Sequence, residues 1–396
     1  MRHLEGTVLP GRTPHREGGH EAGEPQLVRL EPQEHQAWAE GPTAEALGGA
    51  GFTQIPSWGR VKEGWEAQSV GWRLPDGRLV GAALVLSRTI PRLGRRFCYL
   101  PEGPVIDWRT PDLSRWLDPL VGHLRTQGAF AVRIGPPLDH RRWEAATIRE
   151  AVRDGSARRL RDVLPDRVDP VGATVADRLR ALGWQPADQD TQPRFAFRLP
   201  LDGRSSDDLW SGLNSQWRRN VKKAVASGVS LELGGAEDLA EFYRLQRITE
   251  DRNGFNLGRQ LPYYQRQYEV LNAEHAGRME LHLARHGGEI LAAHTLVTVG
   301  KRAWYLNGAS ADHRRTVRPS NALQWSMIQK CRAAGVTTYD MRGVQDCLDP
   351  DGGDYGLLRW KLGTGGHVAE NLGEWDMVLS RPLHLAFRAY LAGRHH

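Results

Sequence analysis

The amino-acid sequence predicts an α+β protein in which two domains follow one another along the chain. Two observations support this fold class. The chain has 396 residues, whereas a single hydrophobic core seldom grows beyond about 250–300 residues. In addition, one order of strand and helix patterns occurs twice, the second copy about 210 residues after the first. We therefore expect two similar α+β units.

Each copy contains a long apolar strand, a shorter strand that ends in Tyr-Leu, an amphipathic helix, a glycine and a third strand. Short apolar runs bounded by Gly or Pro predict strands, and apolar residues at intervals of three and four predict helices. The predicted elements are 78–88, 95–100, 113–127 and 129–134 in the first copy, and 289–299, 303–306, 320–334 and 336–341 in the second. A chance likeness between common strand–helix–strand units is the alternative to duplication.

A polar stretch bounded by proline, 154–170, marks the expected domain boundary. We assign 26–168 to the first domain and 169–374 to the second. The apolar, partly helical segment 375–396 is expected to return to the first domain. Residues 1–25 are rich in Gly, Pro, His and charge and contain no apolar run of signal-peptide length, so we expect a disordered leader.

Composition excludes several classes of protein. Hydrophobic residues make up 40% and charged residues 25% of the chain, which is the balance of a soluble globular protein. No apolar run approaches the roughly 20 residues needed to span a bilayer, so we expect a cytoplasmic protein. The three cysteines, Cys98, Cys331 and Cys347, are widely spaced and form no CxxC pair. Neither a disulfide framework nor a metal site is indicated.

The familiar catalytic motifs are missing from the sequence, and the densest group of cations takes their place as a candidate. There is no GxSxG, HExxH, P-loop or strand-following GxGxxG pattern. The stretch 213–229 (LNSQWRRNVKKAVASGV) combines four cations with apolar residues at helical spacing. Only six of the 53 cationic residues are lysines, yet Lys222 and Lys223 are adjacent. A phosphate-binding helix and a solvated surface helix both fit this pattern.

Three other stretches place cations or aromatic residues beside loops. Lys62 follows Trp58 by four residues, so both lie on one face of a short helix. Tyr99 and Asp107 bracket a Pro-Glu-Gly-Pro loop after a predicted strand. Further on, Arg-Trp-Lys precedes Gly-Thr-Gly-Gly at 363–366, whose backbone amides could hold an anion. Each stretch also fits an ordinary exposed lysine, turn or glycine-rich loop.

Taken together, these stretches resemble the FemABX peptidyltransferases, which use aminoacyl-tRNA to build the interpeptide branch of peptidoglycan. The resemblance spans residues 25–390 and includes FTQIPSWGRVKEGW (52–65), DGRLVGAALVL (76–86), YLPEGPVIDW (99–108), WRRNVKKAVASGV (217–229), TEDRNGF (249–255) and LLRWKLGTGG (357–366). It implies an α+β fold of two tandem GNAT-like (acyl-CoA N-acyltransferase-like) domains. The interval 239–279 has no room for the long helical hairpin of some relatives, so we expect no coiled-coil arm.

The resemblance also implies how substrate is bound. Lys62, Arg219 and Lys361 match cations that contact the diphosphate or the acceptor peptide in such enzymes. Tyr305 would line the same cleft, and Tyr99 is a further candidate for substrate binding.

Three more candidates for substrate binding are Trp217, Lys223 and Trp360. The first two stand where relatives have other residue types, and Trp360 stands where an aromatic residue is common. For catalysis, Lys361 is the candidate for stabilising the developing oxyanion. Asp107 is the candidate for taking the proton of the attacking ammonium, with substrate-assisted transfer as the alternative.

The implied reaction is aminolysis of an ester. A free amine on the third residue of the stem peptide attacks the aminoacyl carbonyl of a charged tRNA, and because the ester is already activated, positioning can replace a covalent step. The implied partners are aminoacyl-tRNA, with Gly as the favoured amino acid, and a peptidoglycan precursor, either lipid II or UDP-MurNAc-pentapeptide. We expect no cofactor and no metal, and a monomer that contacts the inner membrane face peripherally.

Three other functions fit the same residues. The scaffold could attach an amino acid from tRNA to a small peptide natural product, or it could be a GNAT-like acyltransferase that uses acyl-CoA. It could also be a basic module that binds tRNA with steep salt dependence and transfers nothing.

Overall fold

The computed structural model describes residues 23–351 and 355–392. Its strands and helices form two mixed β-sheets with helices packed against them, which confirms the predicted α+β class. Most of the expected disordered leader, residues 1–22, lies outside the described residues.

The strands of the described ranges are β1 (Gln26–Arg29), β2 (Glu66–Arg73), β3 (Leu79–Ile90), β4 (Arg95–Leu100), β5 (Ala129–Ile134), β6 (Asp139–Glu144), β7 (Arg167–Val168), β8 (Gln185–Pro186), β9 (Phe195–Pro200), β10 (Ser230–Gly234), β11 (Met279–His286), β12 (Glu289–Val299), β13 (Arg302–Ser310), β14 (Thr338–Val344), β15 (His367–Asn371) and β16 (Trp375–Val378). The first sheet has the order β1-β2-β3-β4-β5-β16-β8, and the second has the order β10-β11-β12-β13-β14-β9-β15-β6-β7.

The α-helices of the same ranges are α1 (Pro32–Ala39), α2 (Pro42–Ala46), α3 (Pro56–Val61), α4 (Ser114–Thr126), α5 (Ala145–Arg153), α6 (Pro170–Ala181), α7 (Ser206–Gly212), α8 (Ser215–Ala226), α9 (Leu239–Asn253), α10 (Leu261–Glu274), α11 (Pro319–Ala333), α12 (Tyr355–Leu362) and α13 (Arg381–Ala392).

Strand pairing confirms the predicted repeat. In the first sheet, β3 pairs antiparallel with β4, and β4 pairs parallel with β5 across the crossover helix α4. In the second sheet, β12 pairs antiparallel with β13, and β13 pairs parallel with β14 across α11. The glycines that follow the two crossover helices, Gly128 and Gly335, have φ values of 87° and 75°. Gly adopts this helix-ending conformation without steric penalty.

The basic stretch forms α8, as predicted. The Asn214 side chain accepts a hydrogen bond from Trp217 N (2.8 Å), which satisfies a free amide at the helix N-terminus. Trp217, Val221 and Ala224 are buried and form the inner face of the helix. Gly228, with φ of 76°, follows the last turn.

The division between the sheets differs from the predicted boundary at residue 169. Strands β6 and β7 precede that boundary, yet β6 pairs with β15 of the second sheet and β7 pairs with β6. Helix α6 follows the boundary, yet Val175 and Leu179 pack in the core of the first sheet. The reason is local: Pro170 is the first residue of α6, capped by Asp169, and does not close a linker.

The segment that follows β15 returns to the first sheet. Strand β16 pairs antiparallel with β5. Helix α13 then places Phe387 with its ring centroid 4.5 Å from that of Phe97 and 5.7 Å from that of Phe130.

An apolar cluster joins the two domains. Phe52, Trp58 and Leu84 of the first domain pack in one core with Val297 and Trp304 of the second. The ring of Phe52 meets Trp58 at 5.0 Å and Trp304 at 5.4 Å, both edge to face, a favourable arrangement for aromatic pairs. The domains therefore pack directly against each other.

Candidate active site

A polar network crosses the interface beside this apolar cluster. Arg342, in β14, donates from Nη1 to Glu102 Oε1 (2.8 Å) and from Nη2 to Gln192 Oε1 (2.9 Å). Glu102 follows β4 of the first sheet, and its Oε2 accepts from Thr53 Oγ1 (2.9 Å). The Arg342 guanidinium also lies 5.2 Å from the ring centroid of Phe52, within cation–π range. Arg342 thus connects the two domains.

A buried carboxylate lies next to Arg342. Asp340 is 2% exposed and accepts from Arg342 N (2.6 Å) and from Arg198 Nε (3.1 Å). Burial alone would raise the pKa of Asp340, but the guanidinium groups of Arg198 and Arg342 outweigh burial and hold the pKa below its usual value. Arg198 also binds Asp139 and Asn371. Asp340 is therefore a charged, fully paired group.

Lys361 lies behind the same strand. Its side chain is 3% exposed, and Nζ donates to the carbonyl oxygens of Met341 (2.7 Å), Arg342 (3.3 Å) and Gly343 (2.7 Å). Burial lowers the pKa of Lys361 to about 7, whereas three carbonyl acceptors match the three N–H bonds of an ammonium. The cation expected in an open cleft is thus held inside the second domain.

Three of the predicted substrate-binding residues lie in one aromatic row. The Trp217 ring centroid is 5.0 Å from that of Trp360, which is 6.3 Å from that of Tyr305. Trp217 Nε1 donates to Trp360 O (2.8 Å). Trp217 is buried, whereas Trp360 and Tyr305 are partly exposed. The structure thus brings three of the predicted residues together, and Lys361 follows Trp360 in the same helix, α12. Trp360 and Tyr305 offer ring surface to a ligand.

A histidine continues the aromatic row. The His294 ring lies 5.0 Å from Tyr305. Burial lowers the pKa of His294 to about 3 and raises the pKa of Tyr305, so both are neutral near pH 7. The row therefore carries no charge of its own.

Lys62 faces the interface from the first domain. It follows α3, and Nζ lies 5.6 Å from the ring centroid of Trp58. Burial, and secondly the charge of Arg259, lower the pKa of Lys62. Arg259 belongs to the connection between α9 and α10 of the second domain. Within the described ranges neither cation has an ion-pair partner closer than 4.0 Å, and two such cations side by side favour a bound anion.

Arg219 and Lys223 point outward from α8. Both are exposed, and Arg219 Nη2 donates to Gln216 Oε1 (2.9 Å) in the same helix. No ion pair within 4.0 Å involves either residue in the part of the chain that the structure describes. Both cations are available to an anion from solvent.

Tyr99 and Asp107 lie at the two ends of the same loop but differ in their contacts. Tyr99 is buried, donates to Glu374 Oε1 (2.5 Å) and accepts from Gln192 Nε2 (3.2 Å), so it belongs to the network around Arg342. Burial, reinforced by Glu374, raises the pKa of Tyr99 well above its usual value. Asp107 makes a local turn instead, accepting from Arg109 N (3.0 Å).

The structure does not bring Asp107 together with the other candidates. No hydrogen bond or ion pair joins it to the second domain in the described ranges. The acidic residue of its loop that reaches the second domain is Glu102.

Two of the three cysteines, Cys98 and Cys331, are buried. Burial raises the pKa of Cys98 and raises that of Cys331 to about 12, which disfavours the reactive thiolate. Among the described residues, no three His, Cys, Asp or Glu side chains form a group that could hold a metal ion. None of the described helices is long and apolar enough to cross a membrane.

Comparison with known proteins identifies the family. The FemAB family model matches residues 30–286, more than half of the chain. The chain belongs to the FemAB family. An acetyltransferase (GNAT) domain model matches residues 213–361 of this FemAB-family protein.

Relatives of this FemAB-family protein match it along nearly its whole length. Two proteins named lipid II:glycine glycyltransferase, from Staphylococcus aureus strains MRSA252 and bovine RF122, are 24% and 25% identical over 434 and 437 residues. Each match covers 91% of this chain and 94% of the relative. The crystal structure of FemX superposes with a TM-score of 0.75 at 22% identity, covering 91% of this chain and 99% of that one.

These matches, with the internal repeat, confirm the predicted pair of tandem GNAT-like domains. The expected absence of a coiled-coil arm also agrees with the described residues. Helices α9 and α10, of 15 and 14 residues, occupy most of the interval 239–279, in which we expected no long helical hairpin.

Sequence reasoning missed the residues that connect the domains of this FemAB-family protein. Glu102 lies in the Pro-Glu-Gly-Pro loop between the two predicted site residues, Tyr99 and Asp107. Arg342 directly follows a predicted strand, and its partner Glu102 is 240 positions away. A single arginine at the end of a predicted strand is only weak evidence for a contact between domains. The two side chains meet only in the folded chain.

Proposed function

We propose that this FemAB-family protein transfers an amino acid, glycine, from aminoacyl-tRNA to the stem-peptide amine of lipid II. The observation that carries the proposal is the match to relatives named lipid II:glycine glycyltransferase over 94% of their length. The aligned region therefore includes both domains of this chain.

Binding of the anionic acceptor is the first task. Lys62 and Arg259 form a pair of cations at the interface without a counter-ion in the described ranges, and Arg219 offers a third, exposed cation. A diphosphate carries the charge that such a group would neutralise. We assign Lys62 and Arg219 to the diphosphate, and Lys223 to phosphates of the tRNA.

Positioning of the two reactants is the second task. Aminolysis of an activated ester gains most from holding the amine against the carbonyl. The partly exposed rings of Trp360 and Tyr305 form an apolar wall beside β14. Lys361 supports that wall from behind through its three carbonyl contacts, and we assign it a positioning role together with electrostatic support for the oxyanion.

Removal of the ammonium proton is the third task. We keep Asp107 as the proposed acceptor, with substrate-assisted transfer as the alternative. The buried thiols of Cys98 and Cys331, with raised pKa values, are poorly suited to form a covalent intermediate. We propose that the protein acts as a monomer in the cytoplasm. Because lipid II is embedded in a membrane, we also propose that the protein contacts the inner membrane face peripherally.

The proposal is tested by an assay that combines each of four acyl donors with each of two acceptors. Purified protein is offered radiolabelled glycyl-tRNA, alanyl-tRNA, seryl-tRNA or acetyl-CoA, each with lipid II or UDP-MurNAc-pentapeptide. We expect label to move from glycyl-tRNA to lipid II. Transfer from alanyl- or seryl-tRNA would correct the amino acid, and transfer only to the nucleotide-linked peptide would correct the acceptor.

The GNAT domain match over residues 213–361 favours one alternative, acyl transfer from CoA. Turnover of acetyl-CoA without any transfer from the charged tRNAs would select that alternative. Binding of tRNA with no transfer to either acceptor would contradict both enzymatic functions.

A further inference from the structure

An open apolar groove lies on the second domain, between α7, α8, α11 and β10. Its volume is about 510 Å³, within the roughly 300–1,000 Å³ of typical ligand pockets. Trp210 of α7 and Trp325 of α11 meet in its wall with ring centroids 5.2 Å apart. Val225 and Leu231 complete the lining from α8 and β10.

Two apolar residues that line this groove are far more exposed than residues of a hydrophobic core. Val225 is 69% exposed and Leu231 is 40% exposed. Strand β10 lies at the edge of the second sheet. Leu233, two residues after Leu231 on the same face of β10, is 58% exposed and lies outside the groove. Contiguous exposed apolar residues beside a concave surface mark a binding site.

Cations lie at one end of the groove. Lys222 lines it, and Arg219 is one turn earlier on the same side of α8. Arg219 and Val225 are separated by about 9 Å along the helix axis, at 1.5 Å per residue. In the described ranges neither cation has an ion-pair partner within 4.0 Å. Within the described ranges, one helix therefore presents positive charge without an ion-pair partner next to an open apolar groove.

We propose that the groove binds the isoprenoid chain of a polyprenyl diphosphate, with Lys222 beside the diphosphate that Arg219 contacts. This inference rests on the proposed function, because lipid II carries its muropeptide on a polyprenyl diphosphate. In a polyprenyl diphosphate, an anionic group is attached to a long unsaturated hydrocarbon chain. In this groove, the cation Lys222 lies beside aromatic and aliphatic side chains, so charge and apolar surface occur in the same order. The groove then selects lipid-linked over nucleotide-linked acceptors.

Direct binding tests the groove without relying on catalysis. Titration calorimetry would compare farnesyl diphosphate with inorganic diphosphate on the full chain. We expect Leu231→Asn to weaken farnesyl diphosphate roughly tenfold, as loss of one buried aliphatic contact predicts. Leu233→Asn is the matched control, since it changes an exposed leucine on the same strand outside the groove, and it should leave affinity unchanged. Lys222→Met should weaken both ligands.

Three results would overturn the proposal. Equal affinities of the two leucine variants for farnesyl diphosphate would show that the chain binds elsewhere. Equal affinities of wild type for farnesyl diphosphate and inorganic diphosphate would show no isoprenoid contact. Displacement of farnesyl diphosphate by phosphatidylglycerol vesicles that contain no prenyl lipid would identify a general membrane contact instead.

Steady-state kinetics then separates this inference from the proposed function. With lipid II, Leu231→Asn should raise KM roughly tenfold, whereas with a lipid II analogue whose isoprenoid is replaced by methyl it should leave KM unchanged. An unchanged KM for both acceptors would overturn the groove assignment while transfer by wild type upholds the function. Absence of transfer by wild type would contradict the function, and the calorimetry would still decide on the groove.

Discussion

Replacement of Lys361 by methionine should change how the stability of this protein depends on pH. Methionine has a similar length and fills the same buried space without a charge. In the wild type, burial lowers the pKa of Lys361 from 10.5 to about 7. Between these values the unfolded chain binds one more proton through this side chain than the folded chain does, so raising the pH favours the folded state.

The size of the effect follows from that difference in proton binding. The free energy of unfolding should rise by about 1.4 kcal/mol per pH unit through Lys361. The destabilisation is fully present below about pH 7 and is relieved as the pH approaches 10.5. From pH 7 to pH 9 the wild type should therefore gain about 2–3 kcal/mol relative to Lys361→Met.

Urea unfolding at intervals between pH 6 and pH 9 measures this difference directly. Lys301→Met is the control, because the Lys301 side chain is exposed, and its curve should run parallel to that of the wild type. Parallel curves for the wild type and Lys361→Met would refute the reasoning. They would mean that the carbonyl oxygens of residues 341–343 hold Lys361 as an ordinary ammonium despite its burial.

Three further predictions follow from other positions. Arg342→Met removes the ion pair to Glu102 and should lower the free energy of unfolding in urea by about 2–4 kcal/mol, because the carboxylate loses its partner at the interface. An unchanged urea midpoint would show that this ion pair does not stabilise the packing of the two domains. Arg219→Met should raise KM for lipid II about tenfold with no change in melting temperature, since the side chain is exposed and its only side-chain hydrogen bond among the described residues is to Gln216 in its own helix. An unchanged KM would remove Arg219 from the diphosphate site. Asp107→Asn should lower kcat by about 10²–10⁴-fold at unchanged KM if Asp107 accepts the proton, and a kcat equal to that of the wild type would favour substrate-assisted transfer.

Much of the fold was predictable because it depends on local patterns. The strand and helix at 129–134 and 113–127 carry continuous apolar or three-and-four periodic residues, and the structure has β5 and α4 there. The repeat was visible because both copies contain the same elements in the same order. By contrast, β6 has the sequence DHRRWE, which shows no strand pattern, and it pairs with a strand more than 200 positions away. Its place in the second sheet depends on Trp143, which is fully buried in that domain.

The sequence predicted which residue types belong to the candidate site better than it predicted how buried they are or what they contact. Trp217, Trp360 and Tyr305, three of the residues singled out in the sequence, lie in one row of rings. The burial of Lys361 could not be predicted, because it depends on how three carbonyl groups of β14, 18 to 20 positions earlier in the chain, are placed around Nζ. The link between Glu102 and Arg342 was also out of reach, since each residue alone fits an ordinary loop or strand end.

The mass of the acceptor after reaction tests the central claim most directly. Lipid II is incubated with the purified protein and glycyl-tRNA, and the muropeptide is released and analysed by mass spectrometry with fragmentation. We predict the addition of a glycyl residue in amide linkage to the side-chain amine of the third stem-peptide residue, abolished when the tRNA is deacylated. An unmodified muropeptide, with the glycyl-tRNA ester intact or simply hydrolysed, would contradict the proposed transfer.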